Sequence, residues 1–199
     1  LITTNVAQAT TIVTAIAIGF TYPLLPTQIL WINMITDGIM DISLATEPDH
    51  HGDIMKEKPK KKGAPILSKE IFPFLFIIAP VMVVLALLTF NHYLPQGVEK
   101  ARTGVFLIIA MMQIFNAFNM RSLKHSAFKI GIFKNKWVNI AFIVSVVLQL
   151  GAIKVSFIQD IFHFRDLAWL DIAVITALSS LIFVAGELYK LIRHKIKSG

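Results

Sequence analysis

Residues 72–88 read FPFLFIIAPVMVVLALL, seventeen positions without a charged side chain. An α-helix needs roughly 20 apolar residues to cross the hydrocarbon core of a bilayer, and this run is close to that length. A barrel strand would alternate apolar and polar positions, and this run does not. A segment in hydrocarbon has to satisfy its own backbone N–H and C=O groups, so a continuous apolar run of this length predicts a helix. Five more apolar segments flank it, and the six cover about 2–20, 24–45, 70–91, 101–120, 137–156 and 167–191. The chain is 55% hydrophobic and 16% charged, with mean hydropathy +0.68. A soluble domain of this size exposes far more polar surface. The expectation is an all-α polytopic membrane protein, a bundle of six transmembrane helices in a lipid bilayer.

The sequence has no cysteine, which excludes disulfides and thiolate metal sites. It opens on Leu1 without a basic n-region or a small-residue cleavage site. That start fits a fragment entering partway into a helix better than a signal peptide. The net charge of +7 does not indicate nucleic acid, because the basic residues lie scattered between apolar segments, where they act as topology signals. No repeat stands out at 20–50 residues.

The connections differ in charge. YPLLP (22–26) is a tight turn, NHYLPQGVEK (91–100) is weakly charged, and QDIFHFRD (159–166) is mixed. By contrast, 46–69, 121–136 and the C-terminal tail together hold fifteen of the 19 lysines and arginines. The positive-inside rule makes that side cytoplasmic, so the first segment runs outward and the C-terminus is cytoplasmic. Such a pattern suits a bacterial plasma membrane. Trp31, Trp137 and Trp169 lie toward segment ends, as interfacial aromatics do. Lys154 is expected to snorkel, Asp171 and Glu187 to be solvated at segment ends, and Lys60, Lys61 and Lys62 to form a solvated cytoplasmic face.

Three segments carry polar groups at helical spacing. Thr4, Gln8 and Thr11 fall at i, i+4 and i+7, with Asn5 beside them. In WINMITDGIMDI (31–42), Asn33, Thr36 and Asp37 fall at i, i+3 and i+4, and Asp41 lies one turn on. Gln113 and Asn116 are three apart and are followed by Asn119. Residues three or four apart share a helix face, so each set makes a short polar stripe directed into the bundle. These stripes offer carboxylate, amide and hydroxyl oxygens, which suit Ca²⁺ and Mg²⁺ better than Zn²⁺ or copper. Na⁺, K⁺ or a proton carried on Asp37 is also compatible. Gly38 after Asp37 adds a possible helix interruption that would free backbone carbonyls as ligands. The plainer reading is that the amides and hydroxyls only join helices, at about 0.6 kcal/mol each. It fits Asp37 poorly, since an ionisable residue at mid-depth costs about 2.5–3.5 kcal/mol to insert. Asp41, about 6 Å nearer the cytoplasmic side at 1.5 Å per residue, equally suits a wet vestibule.

QILWINMITDG (28–38), followed by EPDHHGDIMKEKP (47–59), resembles the calcium-pump-like branch of the P-type cation-transporting ATPases. In that family a W-x-N-x-x-T-D-G motif occupies the middle of the sixth transmembrane helix. TTNVAQ (3–8) looks like the fifth helix and MMQIFNAFN (111–119) like the eighth. The resemblance implies that residues 1–199 are the C-terminal half of the membrane domain, helices five to ten, with a cytoplasmic loop at 46–69. It implies cation ligands at Asn33, Thr36, Asp37 and Asn5. Gln8 and Gln113 stand where two-calcium pumps carry carboxylates, which points to one divalent ion per cycle or to a different ion. Asp41 adds a carboxylate where those pumps commonly have a small residue. No D-K-T-G-T string occurs, so phosphorylation, with its ATP and Mg²⁺, is expected from an N-terminal portion.

The leading expectation is therefore part of the intramembrane site of an ATP-driven cation pump, Ca²⁺ being the implied ion. A stand-alone six-helix channel or ion-coupled carrier is the alternative. A purely structural bundle is a third.

Overall fold

The structure, a computed structural model, describes residues 2–48, 71–123 and 125–198. The expected loop at 46–69, with its three adjacent lysines, lies almost wholly outside these residues. Among the described residues all regular structure is helical, as the unbroken apolar runs dictate. The elements are α1 (Ile2–Ala17), α2 (Pro26–Trp31), a π-helical segment (Ile32–Asp37), α3 (Gly38–Leu44) and α4 (Ile71–Tyr93). They continue with α5 (Val98–Met120), α6 (Ala127–Ile130), α7 (Lys136–Lys154), α8 (Ser156–Phe162) and α9 (Trp169–Ser198). Four helical stretches are long and apolar enough to cross a membrane: Ile71–Gln96, Val98–Met120, Lys136–Lys154 and Trp169–Arg193. The remaining two expected segments are also helical. However, α1 has 16 residues, about 24 Å at 1.5 Å per residue, and the segment expected over 24–45 is a helix in three pieces. This is an all-α membrane bundle.

α5 is its central post. Within its membrane-length window 89% of residues are buried, against 28–33% in the other three long helices. α4, α7, α9, α3 and the π segment all pack on it, and α1 rests on α4. The lipid-facing sides of the outer helices accordingly keep large apolar residues such as Phe76, Leu88, Val147 and Leu181 exposed. The reversal from α4 to α5 is tight: a 3₁₀ turn (Leu94–Gln96) leads to Gly97 at φ +115°, a conformation that a side chain would strain.

α9 packs tightly against α5 at Gly186. There the Asn119 amide donates to the Ile182 carbonyl (2.9 Å) and lies where a Cβ on residue 186 would sit. Gly186→Ala should therefore displace that amide and destabilise the protein by about 1–3 kcal/mol. Thermal unfolding in detergent measures it. The added substitution Asn119→Ala should recover part of the loss, and an unchanged midpoint in the single variant would refute the close packing.

One expectation about charge is corrected here. Glu187, expected in solvent at a segment end, is buried. It accepts from Ser126 Oγ, from the Ala127 N–H (3.0 Å) and from Lys190 Nζ (2.9 Å). The chain between α5 and α7 folds back over α9, placing the start of α6 on this carboxylate; a negative charge is favourable beside free N–H groups. Arg121, counted above among the topology signals, is likewise buried, held by Glu47 and by two carbonyls. At the opposite end Lys154 pairs with Asp166 (2.6 Å), donates to the Leu167 carbonyl and lies 4.5 Å from the Trp169 ring centre.

Candidate cation site in a broken helix

The second apolar segment starts where Pro26 occupies the first turn of α2, a position at which no backbone N–H is needed. Gln28 locks this start: its Oε1 accepts from the Leu25 N–H (3.1 Å) and its Nε2 donates to the Phe162 carbonyl (3.1 Å). From Ile32 to Asp37 the hydrogen bonding widens from the α to the π register. Such bulges are rare and concentrate at functional sites. The expected interruption thus exists, but it precedes Gly38 and contains Asn33, Thr36 and Asp37.

The expected ligands separate into two groups. Asp37, Gln8 and Gln113 are buried, at 5%, 5% and 3% exposure. Asp37 Oδ2, Gln8 Nε2 and both polar atoms of Gln113 are buried without a hydrogen-bond partner in the protein. A buried polar atom left unpaired costs about 1–3 kcal/mol, and native proteins keep few of them. Here they fall on three of the seven expected site residues. Thr36 is also fully buried, and its hydroxyl accepts from Gln149 Nε2 (2.8 Å). Asn5 and Asn33, by contrast, are exposed on α1 and on the π segment, and Asp41 is half-buried on α3. The π segment packs directly on α5, the helix of Gln113, whereas Gln8 belongs to α1, whose main partner is α4. Asn116 and Asn119 pair with each other (3.4 Å), and Asn119 also bonds α9, so that end of the α5 stripe joins helices.

Asp37, Gln8, Gln113 and Thr36 offer one carboxylate, two amides and a hydroxyl; Thr36 and Asp37 lie on the segment packed against the Gln113 helix, and Gln8 lies on α1. Oxygen donors of this kind suit a hard cation. Among the described residues no three of His, Cys, Asp and Glu gather.

A family model described as "Cation transporting ATPase, C-terminus" matches residues 21–192. The chain belongs to that family. The resemblance carried by QILWINMITDG is thereby borne out. Over 96% of its length the chain is 31% identical to Calcium-transporting ATPase 1 of Bacillus cereus. Over 98% it is 34% identical to Calcium-transporting ATPase 1 of Saccharomyces cerevisiae. It is also similar, at 30% identity over 96% of its length, to Calcium-transporting ATPase type 2C member 2 of Mus musculus. It spans 23%, 21% and 20% of these relatives, respectively.

Sequence reasoning missed Gln149. The half-buried Trp31, expected as an interfacial aromatic, donates its indole N–H to Gln149 Oε1 (3.2 Å), and its ring meets Phe162 edge-on at 5.0 Å. The signal for Gln149 was available: with Asn139 near the start, it is one of two amides in the apolar run 137–156, the same kind of polar anomaly that singled out Gln113.

Proposed function

We propose that this chain is the C-terminal transmembrane part of an ATP-driven pump and forms part of its intramembrane cation site, with Ca²⁺ as the transported ion. The observation that carries the reading is the buried Asp37 carboxylate, with an oxygen unpaired inside a π turn packed on the Gln113 helix. Asp37 supplies the negative charge, and Thr36, Gln113 and Gln8 supply neutral oxygens. Asn33 and Asn5, on exposed faces, turn toward helices from the N-terminal half of the same pump. That half also supplies the phosphorylated aspartate and the ATP and Mg²⁺ sites. Phosphorylation there shifts these helices, changes the cation geometry and gives alternating access. Neutral Gln8 and Gln113 lower the ligand charge count, which favours one divalent ion per cycle. The charge pattern of the loops puts the C-terminus and loop 46–69 in the cytoplasm, in a bacterial plasma membrane. The calcium-transporting relatives support the ion.

The test is ATP hydrolysis by the full-length protein at fixed Mg·ATP, titrated separately with Ca²⁺, Mn²⁺, Na⁺ and K⁺. Saturable stimulation by Ca²⁺ is the expected result. Stimulation by none of the four would sink the assignment, and cation flux without any need for ATP would favour the channel or carrier.

A further inference from the structure

Gln149 of α7 reaches two residues of the broken helix with one side chain. Its Oε1 accepts from the Trp31 indole N–H (3.2 Å) and its Nε2 donates to Thr36 Oγ1 (2.8 Å). Gln149 and Thr36 are both fully buried, so water does not compete for these bonds. Trp31 and Thr36 are five residues apart. On an α-helix, at 3.6 residues per turn, they would point about 140° away from each other. The π register, in which the backbone bonds span i to i+5, brings such residues back toward one side. A single amide that satisfies both is thus satisfied by the widened turn, and an α-helical turn would forfeit one of its two bonds.

The flanks are tied down as well. Gln28 and Trp31 anchor α2 on Phe162 of α8, and Glu47, just beyond α3, is paired with Arg121. Gln149 acts on the stretch between the two anchors. Its bond to Thr36 occupies one of the two lone pairs of Oγ1 and leaves the other for a cation.

We propose that Gln149 is a positioning residue that selects the π register of Ile32–Asp37 and aims Thr36 and Asp37, setting cation affinity without touching the ion. This rests on the proposed cation site. Gln149→Leu in the full-length protein, tested with Ca²⁺, removes both bonds. At about 0.6 kcal/mol for each intramembrane hydrogen bond, the half-saturating Ca²⁺ concentration should rise roughly five- to tenfold. The maximal rate should stay within about twofold, since saturating ion restores the geometry by mass action. Trp31→Phe keeps an aromatic ring against Phe162 but removes the indole donor. It should raise the same concentration about threefold, and the double variant should be no worse than Gln149→Leu alone.

A merely structural glutamine would instead lower protein yield and maximal rate and leave the half-saturating concentration unmoved. That outcome overturns the proposal. If Gln149→Leu does not fold, Trp31→Phe decides, and an unshifted Ca²⁺ response in it overturns the proposal equally. Asp37→Asn run in parallel separates the two levels of failure. A normal response in Asp37→Asn removes the cation site itself; an impaired Asp37→Asn beside a normal Gln149→Leu removes only the role of Gln149.

Discussion

Asp37→Asn should abolish cation-stimulated ATP hydrolysis by the full-length protein at any practical ion concentration. The substitution preserves the volume and shape of the side chain, so the packing of the π segment on α5 is kept. What it removes is the single negative charge of this buried group. At contact distance, even with an effective dielectric constant near 20, one carboxylate and a divalent ion attract by several kcal/mol. Each 1.4 kcal/mol is tenfold in affinity, so a weakening of about 100-fold or more is expected. The activation curve for Ca²⁺ is the direct measurement, and a normal curve would remove Asp37 from the site. A second readout divides function from architecture. Because Asp37 Oδ2 has no partner in the protein, the charge contributes nothing by hydrogen bonding there, and burying it is unfavourable. Without ion, the Asn variant should therefore unfold at the same temperature or higher. A variant that is both inactive and clearly less stable would instead match the purely structural bundle.

The helical bundle was legible because hydropathy is a local property: a run such as 72–88 can satisfy its backbone in lipid in one way. The candidate site was half legible for the same reason. Asp37, Gln8 and Gln113 are conspicuous as polar residues in apolar surroundings, and all three are buried. The π register was beyond reach, because the choice between α and π bonding is decided by partners far along the chain. Gln149 is 118 residues from Trp31 and 113 from Thr36. Charge was misread where the fold is non-local. Arg121, Glu187 and Lys190 belong to segment ends, where solvation is the usual outcome, yet all three are buried. Arg121 pairs with Glu47 beyond α3, Lys190 pairs with Glu187, and the chain between α5 and α7 adds Ser126 and the Ala127 N–H to Glu187. Helical spacing also placed Asn33 with Thr36 and Asp37, and the widened turn leaves Asn33 exposed.

Breaking the Arg121 network should produce the largest loss of stability. Arg121 Nη2 lies 2.8 Å from Glu47 Oε1, and its Nε reaches both carboxylate oxygens at 3.0 Å. Nη1 donates to the Gly131 and Ile132 carbonyls at 3.0 Å, and Asn135 Nδ2 donates to Glu47 Oε2 at 2.8 Å. The Arg121 side chain is 0% exposed and that of Glu47 11%, so the pair works in a medium where removing one partner costs about 3–5 kcal/mol. Arg121→Met should lower the thermal midpoint by roughly 10 °C. Arg121→Lys should recover little, since an ammonium cannot grip a carboxylate through a planar fork while also serving two carbonyls. Adding Glu47→Gln to Arg121→Met removes the uncompensated charge and should restore part of the loss. A midpoint unchanged within about 1 °C would show that the network is superficial. Glu47 follows α3, the helix continuing from Asp37, and Arg121 follows α5, the helix of Gln113. The ion pair thus fixes the two arms of the candidate site against each other. Arg121→Met should accordingly weaken cation activation as well as stability, and Glu47→Gln should rescue both together.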